Sequence, residues 1–351
     1  LSAAFAAKHP PDIAIMHQSA LPNFVKQGLV IPLKDKLLLA GLPLNDLLPA
    51  AKEGVTFNNE IYALPFDFHA LLWHLNLDLL TQAGLVDKEG NPMLPSNKQD
   101  LFAHARYVKE RTGKRYLAIP SQTDPMPTWL FESWVWQQGA ELFSADLQSA
   151  LINSRAAQVS LQTLNGLYQN GYADPYQDYM GAEQTFLSGN SAILLNGTWV
   201  VNSYTNLAKK GQVNLKHYRA VSIPQLFQLK AAWTDSHIWV LPQKIETDPN
   251  KLAAAIAFLK FLFENNFEWA KTGHLPVRQS VLDSPEFQVL PSRKFYRDTA
   301  EMAHTFPFIE NQQSIRDALS QHINATWLTP KNPEESLNQA QHQIQRILDE
   351  N

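Results

Sequence analysis

The stretch EQTFLSGNSAILLNGTW, residues 183–199, decides the fold of this chain. Its pattern predicts a helix end and then a turn at Gly189, because glycine tolerates positive φ. An apolar run of strand length follows, and the Asn-Gly pair that ends at Gly197 is predicted to terminate it. The next helix is predicted to begin at the Thr-Trp pair that ends at Trp199. A strand that ends at glycine beside an aromatic residue, at a helix N-terminus, is typical of a ligand-binding wall in an α/β protein.

The composition narrows the possible function classes. A length of 351 residues predicts two domains, and 45% hydrophobic with 18% charged residues is typical of a globular protein. The net charge of -4, without a run of Lys or Arg, argues against nucleic-acid or anionic-membrane partners. The absence of cysteine excludes disulfides, thiolate catalysis and Cys-based zinc sites. The longest apolar stretch, Leu252–Phe263, is shorter than the roughly 20 residues of a membrane span.

Four segments, in chain order, carry a resemblance to one family. Residues 10–33 contain Pro-Pro-Asp, an apolar strand, a polar loop, a helix and x-Gly-Leu-x-x-Pro-Leu. Residues 61–85 contain Ile-Tyr-x-Leu-Pro, an apolar run and Asn-x-Asp-Leu-Leu-x-x-Ala-Gly-Leu. Residues 186–199 combine Phe-x-x-Gly, an apolar run and Asn-Gly-x-Trp, and residues 274–278 are His-Leu-Pro-Val-Arg. The chain thereby resembles the extracellular solute-binding proteins of bacterial ABC importers, the group that includes the maltose- and glycerol-phosphate-binding proteins.

The resemblance implies an α/β, two-lobed periplasmic-binding-protein fold of type II, with the ligand cleft between the lobes. The implied division is 1–66 for part of the N-lobe, 67–228 for the C-lobe, 229–282 for the return to the N-lobe and 283–351 for C-terminal helices, mainly in the C-lobe. Family members begin with a strand, a helix and a second strand before the point where this chain starts. We therefore expect N-terminal strands to be absent from this chain. No signal peptide is visible at Leu1, and a targeting signal is expected to belong to that missing segment.

Some candidate ligand contacts follow from the residues themselves. His17, Gln18 and Ser19 follow a predicted strand, at the carboxyl end where ligands bind in open α/β sheets. A plain surface loop is the alternative for His17. Trp129 lies at the start of a Trp-rich helix, and its flat ring suits the C–H faces of a pyranose. A core-facing Trp stripe is the alternative there.

The resemblance implies further ligand contacts just after Pro65 and within residues 183–199. Asp67 and His69 lie where family side chains face the cleft, although a helix-cap Asp and a half-buried His are equally compatible. Trp199, beside Gly197, aligns with a position where an aromatic ring commonly stacks on the ligand. Packing under a loop is the alternative for Trp199.

The segment where the chain is expected to return from the C-lobe to the N-lobe, the second crossing between the lobes, departs from the family pattern. Where relatives often have a Gly-Gly pair, this chain has Thr234 and Asp235, preceded by Trp233. The carboxylate of Asp235 would accept hydrogen bonds from sugar hydroxyls, each worth roughly 1.5–3 kcal/mol. Arg278 either reaches the cleft or pins its own loop.

The predicted ligand-binding residues are therefore His17, Gln18, Ser19, Asp67, His69, Trp129, Gly197, Trp199, Trp233, Thr234, Asp235 and Arg278. No catalytic residue and no metal ligand is predicted, because His17, His69 and His237 have no clear partners at ligand spacing.

The predicted function is the substrate-binding component of an ABC importer, which captures a mono- or oligosaccharide by hinge closure and delivers it to a membrane permease. A polyol- or glycerol-phosphate-binding protein of the same family is one alternative. A carbohydrate-active hydrolase is the alternative of another class, since Asp67 and Asp235 both lie at crossings, but no catalytic motif accompanies them.

No cofactor is predicted. The expected partners are a small carbohydrate and the transmembrane subunits of the permease, with no nucleic acid, and the chain is expected to be a monomer. The expected location is the periplasm, or a lipid-anchored extracellular position in a Gram-positive organism.

Overall fold

The computed structural model describes residues 1–122, 124–244 and 248–350. The chain divides into two compact units. Unit 1 comprises residues 1–69, 234–293 and 305–313, and unit 2 comprises residues 70–233, 294–304 and 314–351. The boundaries expected from the sequence, after residues 66, 228 and 282, precede those after 69, 233 and 293 by three, five and eleven residues. The assignment of these segments to lobes stays a prediction.

The described residues form eleven strands, sixteen α-helices and five short 3₁₀-helices. The strands are β1 Ala14–His17, β2 Thr56–Phe57, β3 Glu60–Ile61, β4 Leu64–Pro65, β5 His69–Asn76, β6 Arg115–Ala118, β7 Ser191–Gly197, β8 Tyr218–Ser222, β9 Ala232–Asp235, β10 His237–Val240 and β11 Ala303–His304. The α-helices are α1 Ser2–Ala6, α2 Leu21–Lys26, α3 Lys34–Leu39, α4 Pro49–Glu53, α5 Leu77–Gln82, α6 Lys98–Thr112, α7 Met126–Trp136, α8 Arg155–Gln169, α9 Tyr179–Leu187, α10 Val201–Lys209, α11 Pro249–Glu264, α12 Asn266–Ala270, α13 Gln279–Leu282, α14 Pro285–Gln288, α15 Gln312–Leu328 and α16 Pro333–Asp349. Short 3₁₀-helices cover Gln18–Ala20, Leu44–Asp46, Thr198–Val200, Arg293–Phe295 and Arg297–Ala300.

Unit 1 contains an antiparallel sheet with the strand order β1-β10-β4. Its register sets His17 opposite His237 and Ile238 opposite Pro65. His17 is thus the last residue of β1, and the prediction that it belongs to the loop after the strand was wrong. The cause is the ladder with β10, which lies more than 200 positions away and continues pairing one residue past the apolar run.

Unit 2 contains a sheet with the order β11-β9-β5-β7-β6, and β8 also pairs with β5. Strands β5 and β7 are buried along their whole length, which is typical of central strands. The prediction that β7 ends before Asn196 was wrong, because Asn196 and Gly197 pair with Leu72 and Leu71 of β5. The tertiary ladder therefore overrides the local Asn-Gly turn signal.

Local sequence signals explain several element ends. Helices α6, α8 and α9 begin at Asn97, Ser154 and Asp178, whose side chains accept hydrogen bonds from backbone N–H groups of the first turn. Gly189, in the turn between α9 and β7, has φ of +73°, which agrees with its predicted turn role.

Among the helices described, none combines the length and the apolar character that a membrane span requires.

Candidate functional site

Three histidine rings of unit 1 lie against one another. His17, His69 and His237 come from the end of β1 and the beginnings of β5 and β10. Their ring centroids are 5.0 Å apart for His17 and His69, 4.8 Å for His17 and His237, and 4.7 Å for His69 and His237. The side chain of His17 is 57% exposed, whereas those of His69 and His237 are 5% and 27% exposed. The cluster is therefore accessible from the His17 side.

Asp67 is the buried anchor of this cluster. Its side chain is completely buried, and it accepts hydrogen bonds from the backbone N–H of His237 at 3.0 Å and from Nδ1 of His237 at 2.8 Å. The indole Nε1 of Trp269 donates to the same carboxylate at 2.6 Å, and Nδ1 of His69 lies 3.4 Å from it. His274 lies farther away, at 4.0 Å. One carboxylate thus contacts three residues of unit 1, His69, His237 and Trp269, which come from β5, β10 and α12.

The ionisation of these groups follows from burial and pairing. Burial alone would raise the pKa of Asp67, but the hydrogen bonds from His237 and His69 outweigh it and hold that pKa below its ordinary value. Burial lowers the pKa of His237, but its hydrogen bond to Asp67 and the carboxylate charge leave that pKa above the ordinary value. Burial lowers the pKa of His17 and brings the pKa of His274 to about 4. The arrangement favours an ionised Asp67 with a neutral His274 beside it, and it makes His237 easier to protonate than a free imidazole.

Asp235 organises the neighbouring loop of unit 1. Its Oδ1 accepts hydrogen bonds from the backbone N–H of Ser236 at 2.8 Å and of Ser19 at 3.3 Å. Its Oδ2 lies 3.9 Å from Nδ1 of His17. The backbone N–H of Gln18 donates to the carbonyl of Ser236 at 2.8 Å, which joins this loop to the end of β1. The side chains of Gln18 and Thr234 are buried, so both serve the interior of the fold in this conformation.

In unit 2, Trp199 lies directly after β7 and over Gly197. Its half-buried indole packs against the cluster that contains Phe186 and Tyr204, and Nε1 donates to the Tyr179 hydroxyl at 3.2 Å. A Cβ added at Gly197 would lie only 2.0 Å from the Trp199 ring. A side chain at this position would therefore displace the ring, although the φ of -102° suits any residue.

Trp129 and Trp233 form a second aromatic feature of unit 2. Their rings stack with centroids 3.8 Å apart at an angle of 7°. The backbone N–H of Trp233 donates to the Ser133 hydroxyl at 2.8 Å, which ties β9 to α7. Trp233 is 1% exposed, whereas Trp129 is half-buried and covers it. Trp233 is thus core, and Trp129 keeps partial access to solvent.

Glu132, one turn after Trp129 on α7, is a titratable residue that sequence reasoning missed. It is completely buried, and both carboxyl oxygens lack a hydrogen-bond partner among the described residues. Burial raises its pKa to about 7, against a smaller opposing effect of Arg316. The sequence carried no signal of this, because the residue lies within an otherwise apolar helix.

Arg278 pins its own loop in unit 1. Its Nε donates to Asp46 at 2.7 Å, and its Nη1 donates to the carbonyl of Phe263 at 2.9 Å. The guanidinium also lies 4.5 Å from the centroid of the Phe263 ring. Of the two roles that the sequence left open, this conformation has the structural one.

The fold thus collects nine of the twelve predicted residues into three groups, and each group lies within one unit. His17, Ser19, Asp67, His69 and Asp235 surround the histidine cluster of unit 1. Trp129 and Trp233 form one pair in unit 2, and Gly197 and Trp199 form another. Sequence reasoning did not select His237, Trp269, His274 or Tyr179, whose roles depend on contacts far apart in the chain. Polar side chains with half-buried aromatic rings are typical of a protein that binds a small polar solute.

The profile of the family described as bacterial extracellular solute-binding protein matches residues 1–294. This chain belongs to that family.

Several known proteins are similar to it. A maltotriose-binding protein of Pyrococcus abyssi is 22% identical in an alignment of 321 residues that covers 88% of this chain and 63% of that relative. The chain therefore spans less than two thirds of the length of that curated relative. The cyclic α-maltosyl-1,6-maltose binding protein of Arthrobacter globiformis superposes with a TM-score of 0.82 at 23% identity, over 99% of this chain and 87% of that chain. UgpB of Mycobacterium tuberculosis, solved with glycerophosphocholine, superposes with a TM-score of 0.83 at 18% identity, over 99% of this chain and 86% of the UgpB chain. These likenesses confirm the predicted two-lobed periplasmic-binding-protein fold.

Proposed function

We propose that this chain is the substrate-binding component of an ABC importer and that it captures a mono- or oligosaccharide. The observation that carries the proposal is the family match over residues 1–294 together with the half-buried Trp199 ring at the end of β7. Capture proceeds by hinge closure of the two lobes, and a membrane permease receives the ligand. The chain acts as a monomer in the periplasm, or as a lipid-anchored protein outside the cell.

Neutral hydroxyl-rich ligands suit the polar groups better than phosphorylated ones. A phosphate calls for an arginine or lysine fork. Arg278, which the sequence left open as a cleft residue, already donates to Asp46 and to the carbonyl of Phe263. The exposed ring of His17 and the partly exposed ring of His237 offer donors and acceptors for sugar hydroxyls instead.

Asp67 does not suit the general-acid role that the hydrolase alternative requires. A glycoside hydrolase needs one carboxyl group that stays protonated as the general acid. Asp67 accepts hydrogen bonds from His237 and Trp269, and its pKa lies below the ordinary value. We therefore propose a binding protein that releases its ligand chemically unchanged.

The proposal is tested by thermal-shift measurements with maltose, maltotriose, other mono- and oligosaccharides, polyols and glycerol phosphates. A sugar present at 100 times its Kd should add about 2.7 kcal/mol to the stability of the native protein. The ligand recovered afterwards should be intact by chromatography. If only glycerol phosphates or polyols stabilise the protein, the proposed ligand is wrong and that class is the ligand instead. If a hydrolysis product accumulates with time, the protein is a hydrolase.

Replacing Trp199 by Ala should weaken sugar binding. The variant loses an aromatic face for stacking and the area that this face buries, so Kd should rise about 10- to 100-fold, or roughly 1.4–2.8 kcal/mol. Isothermal titration calorimetry with the best sugar of the panel measures the change. Trp199→Phe, which keeps a ring, should recover part of the affinity.

The matched control for Trp199→Ala is Tyr107→Ala, which removes a half-buried aromatic ring from α6 of the same unit. It should leave Kd unchanged. Equal Kd values for wild type and Trp199→Ala would contradict the stacking role and leave Trp199 as a packing residue.

Replacing Gly197 by Ala should also weaken sugar binding, through Trp199. The added methyl group would overlap the indole, so the ring must rotate or shift. The expected result is a rise in Kd that approaches that of Trp199→Ala, and no additional loss in the double variant, because both changes act through the same ring. Additive losses would show that Gly197 acts separately.

A further inference from the structure

We propose that His17, His69 and His237 of unit 1 form a binding site for a divalent transition metal ion, of which Zn²⁺ fits best. The sequence predicted no partners at ligand spacing for these residues, and the fold corrects that expectation. Each offers a ring nitrogen, and these three atoms lie within 4.8 Å of one another. This inference goes beyond sugar binding and does not depend on it.

The donor set is that of known zinc sites. Neutral imidazole is a preferred ligand of Zn²⁺, and three histidines with a fourth position open to water or a ligand are a recurrent arrangement. Nitrogens that bind one Zn²⁺ ion tetrahedrally are about 3.3 Å apart. The distances between the three ring nitrogens, now up to 4.8 Å, must therefore shorten by up to about 1.5 Å. His17 can supply that movement because its side chain is 57% exposed.

The carboxylate behind the cluster supports this assignment. Metal-binding histidines usually donate their other ring N–H to a carboxylate, which orients the ring and strengthens the ligand. Nδ1 of His237 lies 2.8 Å from Asp67. In the neutral ring Nδ1 therefore donates its proton to the carboxylate, and Nε2 keeps the lone pair that can bind a metal. Nδ1 of His69 faces the same carboxylate at 3.4 Å.

The surrounding charge also favours a cation. Asp67 lies behind two of the rings, and a carboxylate oxygen of Asp235 lies 3.9 Å from Nδ1 of His17. Two carboxylates near three imidazoles would balance a divalent ion.

A second group in unit 1, formed by Asp67, His237 and His274, also has ligand atoms within 4.8 Å. It is the weaker site, because the oxygens of Asp67 already accept from the backbone and side chain of His237 and from Trp269. Binding there would break these buried hydrogen bonds. Asp67 therefore orients the ligands and does not itself bind the ion.

The test uses the full chain without an affinity tag, freed of metals with a chelator. Titration with ZnCl₂ in a calorimeter should show one ion bound per chain, and MgCl₂ should give no heat, since Mg²⁺ prefers oxygen ligands. CoCl₂ should produce the visible absorption of a four-coordinate ion with nitrogen ligands.

His17→Ala should weaken Zn²⁺ binding by more than about 10-fold, because removal of even an outer partner of a metal ligand costs 10- to 100-fold. His17 is the most exposed member, so this variant should keep the native fold, and its circular dichroism checks that. The matched control is His9→Ala, an exposed histidine of the same unit, which should leave Zn²⁺ affinity unchanged. No Zn²⁺ binding by the wild type, or binding that His17→Ala does not change, would overturn the proposal.

Discussion

Replacing Asp67 by Ala should lower the free energy of unfolding by about 3–5 kcal/mol, the range observed when one partner of a buried ion pair is removed. The carboxylate is completely buried, and it accepts from the backbone N–H and Nδ1 of His237 and from the indole of Trp269. Its loss would leave these donors without an acceptor in the interior, and each would lose the hydrogen bond that offsets its desolvation.

Urea unfolding at neutral pH measures this difference, with fluorescence and circular dichroism as separate probes because two compact units can unfold separately. Asp67→Asn keeps the size and one acceptor oxygen, so its loss of stability should be smaller than that of Asp67→Ala. Asp12→Ala is the control, because it removes the exposed partner of Lys244 in the same unit and should hardly change stability. If Asp67→Ala unfolded at the same urea concentration as the wild type, Asp67 would not anchor the cluster.

Replacing Glu132 by Gln should stabilise the protein at alkaline pH and remove a pH dependence that the wild type has. Burial raises the pKa of Glu132 in the folded state to about 7, above its ordinary value of 4.5. The native state therefore holds the proton more tightly than the unfolded state does. The stability that this protonated carboxyl group contributes is fully present below pH 4.5 and is lost as the pH rises through about 7. A shift of this size corresponds to a loss of about 3 kcal/mol at pH 8.

The glutamine side chain does not titrate, so the free energy of unfolding of Glu132→Gln should vary less between pH 5 and 8 than that of the wild type. The two proteins should differ most at pH 8. Glu110→Gln, which changes an exposed glutamate of α6 in the same unit, should follow the wild-type curve. Parallel curves for wild type and Glu132→Gln would mean that Glu132 is ionised in the native state over the whole range, with Arg316 as the compensating charge.

The strands and helices of this chain were largely predictable from the sequence. The apolar run after Pro65 marked β5, and the apolar run between Gly189 and Gly197 marked β7, because such patterns express local geometry. The errors lie at strand ends. At His17 and at Gly197, pairing with a distant strand extended the ladder past the residue where the local signal stopped.

The family motifs located parts of the candidate site, but they did not show its internal contacts. They selected Asp67 and His69 by position, whereas the contacts of Asp67 with His237 and Trp269 cross about 170 and 200 positions. They also left Glu132 unnoticed, since a single acidic residue in an apolar helix looks like an exposed position until burial is known. The predicted ligand contacts as a set stay a prediction until binding is measured.

The sequence by itself determined the α/β class, the family and the order of most elements, since periodicity, turn residues and short motifs act over a few neighbouring positions. Only the tertiary structure decided that three histidines from three strands would meet, that Asp67 would anchor them, and that Arg278 would bind Asp46. These outcomes depend on strand register, and a shift of one residue would turn each side chain to the opposite face of its sheet. Local sequence patterns do not encode the register between strands that are far apart in the chain.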